Sequence, residues 1–149
     1  MQVMAVSSSG WSGSGDDNAK EVDCPTGFKI RGCQCADASV CDGARTSGSN
    51  RCSVWNGNGG SGARARAFCT KDDRNSLGVS SSTSGWHNGA ASASCPVGSV
   101  VTGCTCYSSW AGCSNSHGGM GTDGSISGQT CTVSGGLVSA TATCMTGTL

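Results

Sequence analysis

Small apolar and polar residues alternate along much of this chain with a period of two. In the stretch Ala63 to Cys69, Ala63, Ala65, Ala67 and Cys69 fall on one face and Arg64, Arg66 and Phe68 on the other. Val138, Ala140, Ala142 and Cys144 alternate in the same way with Ser139, Thr141 and Thr143. Each run predicts a strand whose inner face is lined by alanine and cysteine, the small groups that a tight interior accommodates. Phe28-Lys29-Ile30, between Gly27 and Gly32, and Ser99 to Thr102, between Gly98 and Gly103, predict a second kind of strand. Whether Gly32 carries a bulge that resets the register before Cys33 stays open at this level. No segment shows an apolar helical period of useful length, and the Gly/Ser-rich stretches 42–51 and 114–130 read as loops.

The pattern occurs twice. "VSSSGW" at 6–11 recurs, with a two-residue insertion, as "VSSSTSGW" at 79–86, and "CPTGFKIRGCQC" at 24–35 matches "CPVGSVVTGCTC" at 95–106 without a gap. Three more cysteines follow in each copy: Cys41, Cys52 and Cys69 after Cys24, Cys33 and Cys35, and Cys113, Cys131 and Cys144 after Cys95, Cys104 and Cys106. The expected organisation is two tandem modules, 1–72 and 73–149, divided in the polar stretch Lys71 to Ser76.

Composition explains what must hold such modules together. Of 149 residues only 36% are hydrophobic and seven are aromatic, while 25 are glycine and 12 are cysteine. So small an apolar inventory, with an even and high cysteine count, marks a disulfide scaffold in an oxidising compartment, and an extracellular, secreted protein is expected. The opening "MQVMAVSSSGWSGSG" has neither a basic region nor a sustained apolar segment, so any leader is expected to have been removed or to precede this sequence. No apolar window is long enough to span a bilayer, and no membrane insertion is expected. Nine basic residues balance nine acidic ones. That balance gives no general attraction to nucleic acid or anionic membrane. Arg64, Arg66, Lys71 and Arg74 form one modest basic cluster, interrupted by Asp72 and Asp73, and after Arg74 only Asp123 carries a formal charge.

Candidate chemistry is thin. A zinc site common to both copies would need cysteine alone, because the first contains no histidine, and Cys-x-Cys is neither the usual zinc pair spacing nor the thioredoxin-like one. No cofactor or metal is therefore expected. Asp42-Gly43 and Asp123-Gly124 read as turns rather than calcium ligands. His87 and His117 lack a recognisable nucleophile partner, and the chain is read as a non-enzyme. Trp11 and Trp86, at equivalent positions, suggest a shared packing role, whereas Trp55 and Trp110 sit in loop-like contexts, Trp110 near Tyr107. These three rings, Trp55, Tyr107 and Trp110, are the candidate contacts for a protein or a sugar.

The two Cys-Pro-x-Gly-x-x-x-x-Gly-Cys-x-Cys segments resemble those of resistin and the resistin-like secreted hormones. They are also similar to the modules of the Cys/His-rich C-terminal domain of the convertase that controls low-density-lipoprotein receptor levels. The resemblance is specific over about 12 residues in each copy. It implies small antiparallel, jelly-roll-like modules with nested disulfides, the outer bonds joining Cys24 to Cys69 and Cys95 to Cys144. Given those outer bonds, three inner connectivities per module remain open. The chain lacks resistin's N-terminal helical segment and has two modules where the convertase domain has three, so no hormonal or receptor-regulating role is implied. The expected fold is all-β. The expected function is a secreted structural or protein-interaction protein that associates with protein or with itself, the alternative being a carbohydrate-binding module.

Overall fold

The computed structural model describes residues 2–36, 38–108, 112–114 and 124–147. Its regular elements are all strands: β1 (Met4–Ser8), β2 (Ala19–Asp23), β3 (Phe28–Ala36), β4 (Cys41–Ser47), β5 (Arg51–Asn56), β6 (Arg64–Lys71), β7 (Gly78–Thr83), β8 (His87–Ser94), β9 (Val100–Tyr107), β10 (Ser125–Ser127) and β11 (Thr130–Thr146). The stretches 42–51 and 114–130, read as loops from their glycine and serine, in fact contain β4 and β10. Cross-strand pairing of β4 with β5 and of β10 with β11 outweighs their low intrinsic propensity.

In the first half, β6 lies between β1 and β3 in a three-stranded sheet, and β5 lies between β4 and β2. The second half repeats this. The C-terminal part of β11 lies between β7 and β9, and its N-terminal part between β10 and β8. The single strand β11 thus does the work of both β5 and β6, turning at a bulge between Gly135 and Leu137 where the first half has a glycine-rich connection.

The register corrects the repeat. Ala5 faces Cys69 and Ser80 faces the equivalent Cys144, so Met4–Trp11 and Val79–Trp86 superimpose without the two-residue insertion that the sequence suggested. Matching bonds agree: the Ser9 and Ser84 amides donate to Ala65 and Ala140 carbonyls, and their hydroxyls accept from the amides of Ala65 and Ala140 at 2.8 and 2.9 Å.

A bulge also recurs. Ile30 pairs with Cys69 and Gly32 with Phe68, leaving Arg31 extra; Val101 and Gly103 leave Thr102 extra in the same way. The extra residue lets Ile30 and Cys33, three apart, both face inward, which strict alternation forbids.

All twelve cysteines are paired. The outer bonds are Cys24–Cys69 and Cys95–Cys144; the inner ones are Cys33–Cys52, Cys35–Cys41, Cys104–Cys131 and Cys106–Cys113. Each half has its own core: half-cystines and alanines around Ile30 and Val54 in the first, around Val133 and Val138 in the second. Such cores are too small to hold by burial alone, so covalent constraint carries much of the stability.

The jelly-roll expectation is overturned. One sheet is an open path of three strands; the other is an open path of six, β10–β11–β9–β4–β5–β2, with β7 and β8 also paired to β11, and neither closes nor curls. In the first half the two layers are joined by disulfides and short connections; in the second, β11 itself runs from one layer into the other. The larger sheet also runs through both halves, because β4 of the first pairs with β9 of the second at Gly43 and Tyr107.

Candidate functional site: the aromatic seam between the halves

The junction of β4 and β9 is where chemistry gathers. Gly43 on β4 is opposite Trp55 of β5 on one side and Tyr107 of β9 on the other. A side chain at this position would collide with Tyr107, whose Cα lies 2.7 Å from where a Cβ would stand. Without one, the flanking rings meet over the glycine edge-to-face, with centroids 4.7 Å apart. Arg45, two residues along the strand and so on the same face, lays its guanidinium 4.4 Å from the Tyr107 ring centre. Its Nη2 reaches Ser139 Oγ at 3.5 Å. Trp86 tilts against Tyr107 at 5.4 Å and keeps 46% of its surface exposed.

An acidic group borders these rings. The buried Asn56 side chain donates to the carbonyls of Ser14 and Gly15 at 3.0 and 2.9 Å, fixing the turn that carries Asp16 and Asp17. Those two carboxylates and that of the buried Asp42 come within 4.8 Å of one another. Asp42 occupies the bulge of β4, not the turn expected of an Asp-Gly pair. Burial, reinforced by Asp17, Asp42 and Asp16 and opposed by Arg45, holds the Tyr107 phenol above its ordinary pKa. Burial lowers that of Arg45, opposed by Tyr107.

The same seam is tied by hydroxyls. Thr46 Oγ1 lies 2.8 Å from Thr143 Oγ1 and 2.9 Å from Ser81 Oγ, and the Ser108 amide donates to the Asp42 carbonyl at 2.8 Å. Gly103 meets the Arg31 carbonyl so closely that a Cβ there would stand 2.9 Å from the oxygen.

Of the three ring candidates, Trp55 and Tyr107 are brought together, half-buried, on strands rather than on loops. Trp110 lies outside the described residues, as does His117; His87 is an exposed residue opening β8. Trp11 and Trp86, expected to pack, are each about half exposed, at 51% and 46%. Trp11 lies beneath the Arg64 guanidinium, 5.3 Å from its ring centre. Sequence reasoning missed Arg45 and the meeting of Asp16, Asp17 and Asp42. The available signal was Gly43 beside Arg45, a small residue that leaves room for rings from neighbouring strands. Because both members of each Cys-x-Cys pair are in disulfides, neither pair offers a thiolate for metal or redox chemistry.

No protein-family model matches this chain, and no curated protein matches it.

Proposed function

We propose that this chain is a secreted, non-enzymatic structural or protein-interaction protein, built to hold its surface rigid within an extracellular assembly. The observation that supports this most is the use of all twelve cysteines as staples within two small cores, with a hydrogen-bonded sheet crossing from one half to the other. Large apolar groups stand outward on the same frame, Trp11, Trp86, Val97 and Val100 among them. Rigid display of exposed rings suits contact-making. The likeness of the two cysteine segments to the resistin-like modules favours a secreted setting as well.

The test has two parts. Protein isolated without reductant is alkylated and mass-mapped, then examined by sedimentation velocity over a wide concentration range and for retention in assembled matrix. The proposal expects no modified cysteine and concentration-dependent association or matrix retention. Free thiols at most cysteines, or a monomer that the matrix does not retain, would overturn it.

A second reading, a carbohydrate-binding module, is favoured by the open face of Trp86 beside Tyr107, with Asp16 and Asp17 nearby as acceptors for sugar hydroxyls. A neutral-glycan array probed with the protein and with Trp86→Ala checks it. Binding that the substitution abolishes supports the reading, and an array without signal counts against it.

A further inference from the structure

The internal duplication provides a control that most surfaces lack. In the second half, the outer face of the sheet β7–β11–β9 presents Ser139, Thr141 and Thr143, and they are 1%, 1% and 2% exposed. The first half covers that face: Thr46 bonds to Thr143, and Arg45 reaches Ser139. The equivalent residues of β6, counted back from Cys69, are Arg64, Arg66 and Phe68, and all three are partly exposed. Where the duplicated fold needs small hydroxyls for an internal seam, the first half carries guanidinium groups and a ring.

These groups form a row. Arg64, Arg66 and Phe68 recur along β6 at about 7 Å, the spacing of alternate strand residues, and the bulge residue Arg31 lies over Phe68 at 5.7 Å. Across the strands, Ser8 and Gln34 flank Arg66, Ala36 flanks Arg64, and Val6 and Gly32 flank Phe68; Arg66 Nη1 donates to Gln34 Oε1 at 3.4 Å and Arg64 Nε to the Ser9 carbonyl at 3.3 Å, which orients both guanidinium groups. Trp11 lies against Arg64 and leaves half its own surface open. None of β1, β3 and β6 contains an acidic residue. Among the described residues, no carboxylate forms an ion pair with Arg31 or Arg66. Asp72, at the far end of the face, is engaged by Ser76 and Leu77.

We propose that the outer face of β1–β6–β3 binds a sulfated linear polysaccharide, with Arg31, Arg64 and Arg66 receiving sulfate groups and Trp11 and Phe68 receiving the apolar faces of the sugar rings. A guanidinium fork matches a tetrahedral oxyanion in two parallel hydrogen bonds, and a strand's regular repeat suits a regularly charged polymer. Polysaccharide is favoured over nucleic acid because twelve paired cysteines suit an oxidising, extracellular setting, where the regularly charged polymers are sulfated polysaccharides. The inference concerns a different face from the aromatic seam; it rests on the secreted setting of the first reading but requires neither its assembly nor the neutral-sugar site of the second.

Immobilised heparin, hyaluronan and single-stranded DNA are compared as ligands for the whole chain over a salt series. The expected result is heparin retention beyond about 0.15 M ionic strength, at least tenfold weaker binding to hyaluronan and to DNA, and loss of retention in Arg64→Ala/Arg66→Ala. That double variant should also flatten the logarithmic salt dependence by about two units. Arg51→Ala, on the other sheet and paired with Asp23, should bind as the parent does. On the unsubstituted protein, heparin should protect Arg31, Arg64 and Arg66 from phenylglyoxal but leave Arg51 reactive, which keeps the test independent of how the variants fold. Absence of retention, equal loss in Arg51→Ala, equal binding of DNA or hyaluronan, or protection spread over all arginines would overturn the proposal.

Discussion

Removing one disulfide at a time measures how far covalent constraint, rather than burial, holds this fold. Cys24–Cys69 closes a loop of 45 residues and Cys35–Cys41 one of 6. The chain-entropy relation gives about 4 kcal/mol for the first and about 2 kcal/mol for the second. Cys33–Cys52 already shortcuts the longer loop, which brings the expected loss there down to about 3.5 kcal/mol. The second half supplies a replicate, with loops of 49 and 7 residues at Cys95–Cys144 and Cys106–Cys113. All eight of these sulfurs are buried, so the packing lost on paired Cys→Ala substitution is similar and largely cancels in the comparison. Urea unfolding of the four paired variants, each mass-mapped for its remaining bonds, should rank both outer bonds above both small loops by about 1 kcal/mol. Equal losses, or a reversed order, would show that native-state packing of the sulfurs sets the stability and would refute the loop-constraint argument.

Three further expectations test the seam and the junction. Gly43→Ala pushes a methyl against the Tyr107 backbone and should cost about 1–3 kcal/mol, with loss of the near-ultraviolet circular dichroism from the Trp55–Tyr107 pair; an unchanged spectrum and midpoint would contradict the geometry. Tyr107 is the sole tyrosine, so a spectrophotometric titration reads it alone: ionisation should begin above the ordinary range, shift higher still in Arg45→Met, and shift down in Asp16→Asn/Asp17→Asn. Asp72 is held below the ordinary carboxylate value because hydrogen bonds from the Leu77 and Ser76 amides and the Ser76 hydroxyl outweigh its burial. Its stabilisation is therefore complete above that ordinary value and is lost as pH falls through it toward the lower folded one. Urea midpoints between pH 7 and 3 should fall less steeply with acid in Asp72→Asn than in the parent, and parallel curves would count against it.

The basic cluster shows where local reading stops. Arg64, Arg66, Lys71 and Arg74 are one group in sequence, but alternation puts Arg64 and Arg66 on the outer face of β6 and Lys71 beside Asp73. Arg31 joins the outer row only because a bulge turns it over Phe68. Similarly, Trp55 and Tyr107 were legible as candidate contacts, but not as partners. They are 52 residues apart, and Gly43 brings them together only when β4 and β9 pair.

By itself the sequence determined the all-strand character, the duplication and the covalent logic, because a period of two and a repeated cysteine frame are local or countable properties. It also determined the inward face of each alternating run, since alanine and cysteine are the residues that fit between closely stapled layers. Tertiary structure alone decided that the sheets stay open, that β11 serves both layers, and that one sheet passes from half to half. The same is true of the two equivalent outer faces, one sealed by hydroxyls and the other carrying partly exposed arginines. Those outcomes depend on which edge strand finds which partner across long stretches of chain. Pairing of that kind is selected by the fit of Gly43 against Tyr107 and Gly103 against Arg31, not by any pattern within a single strand.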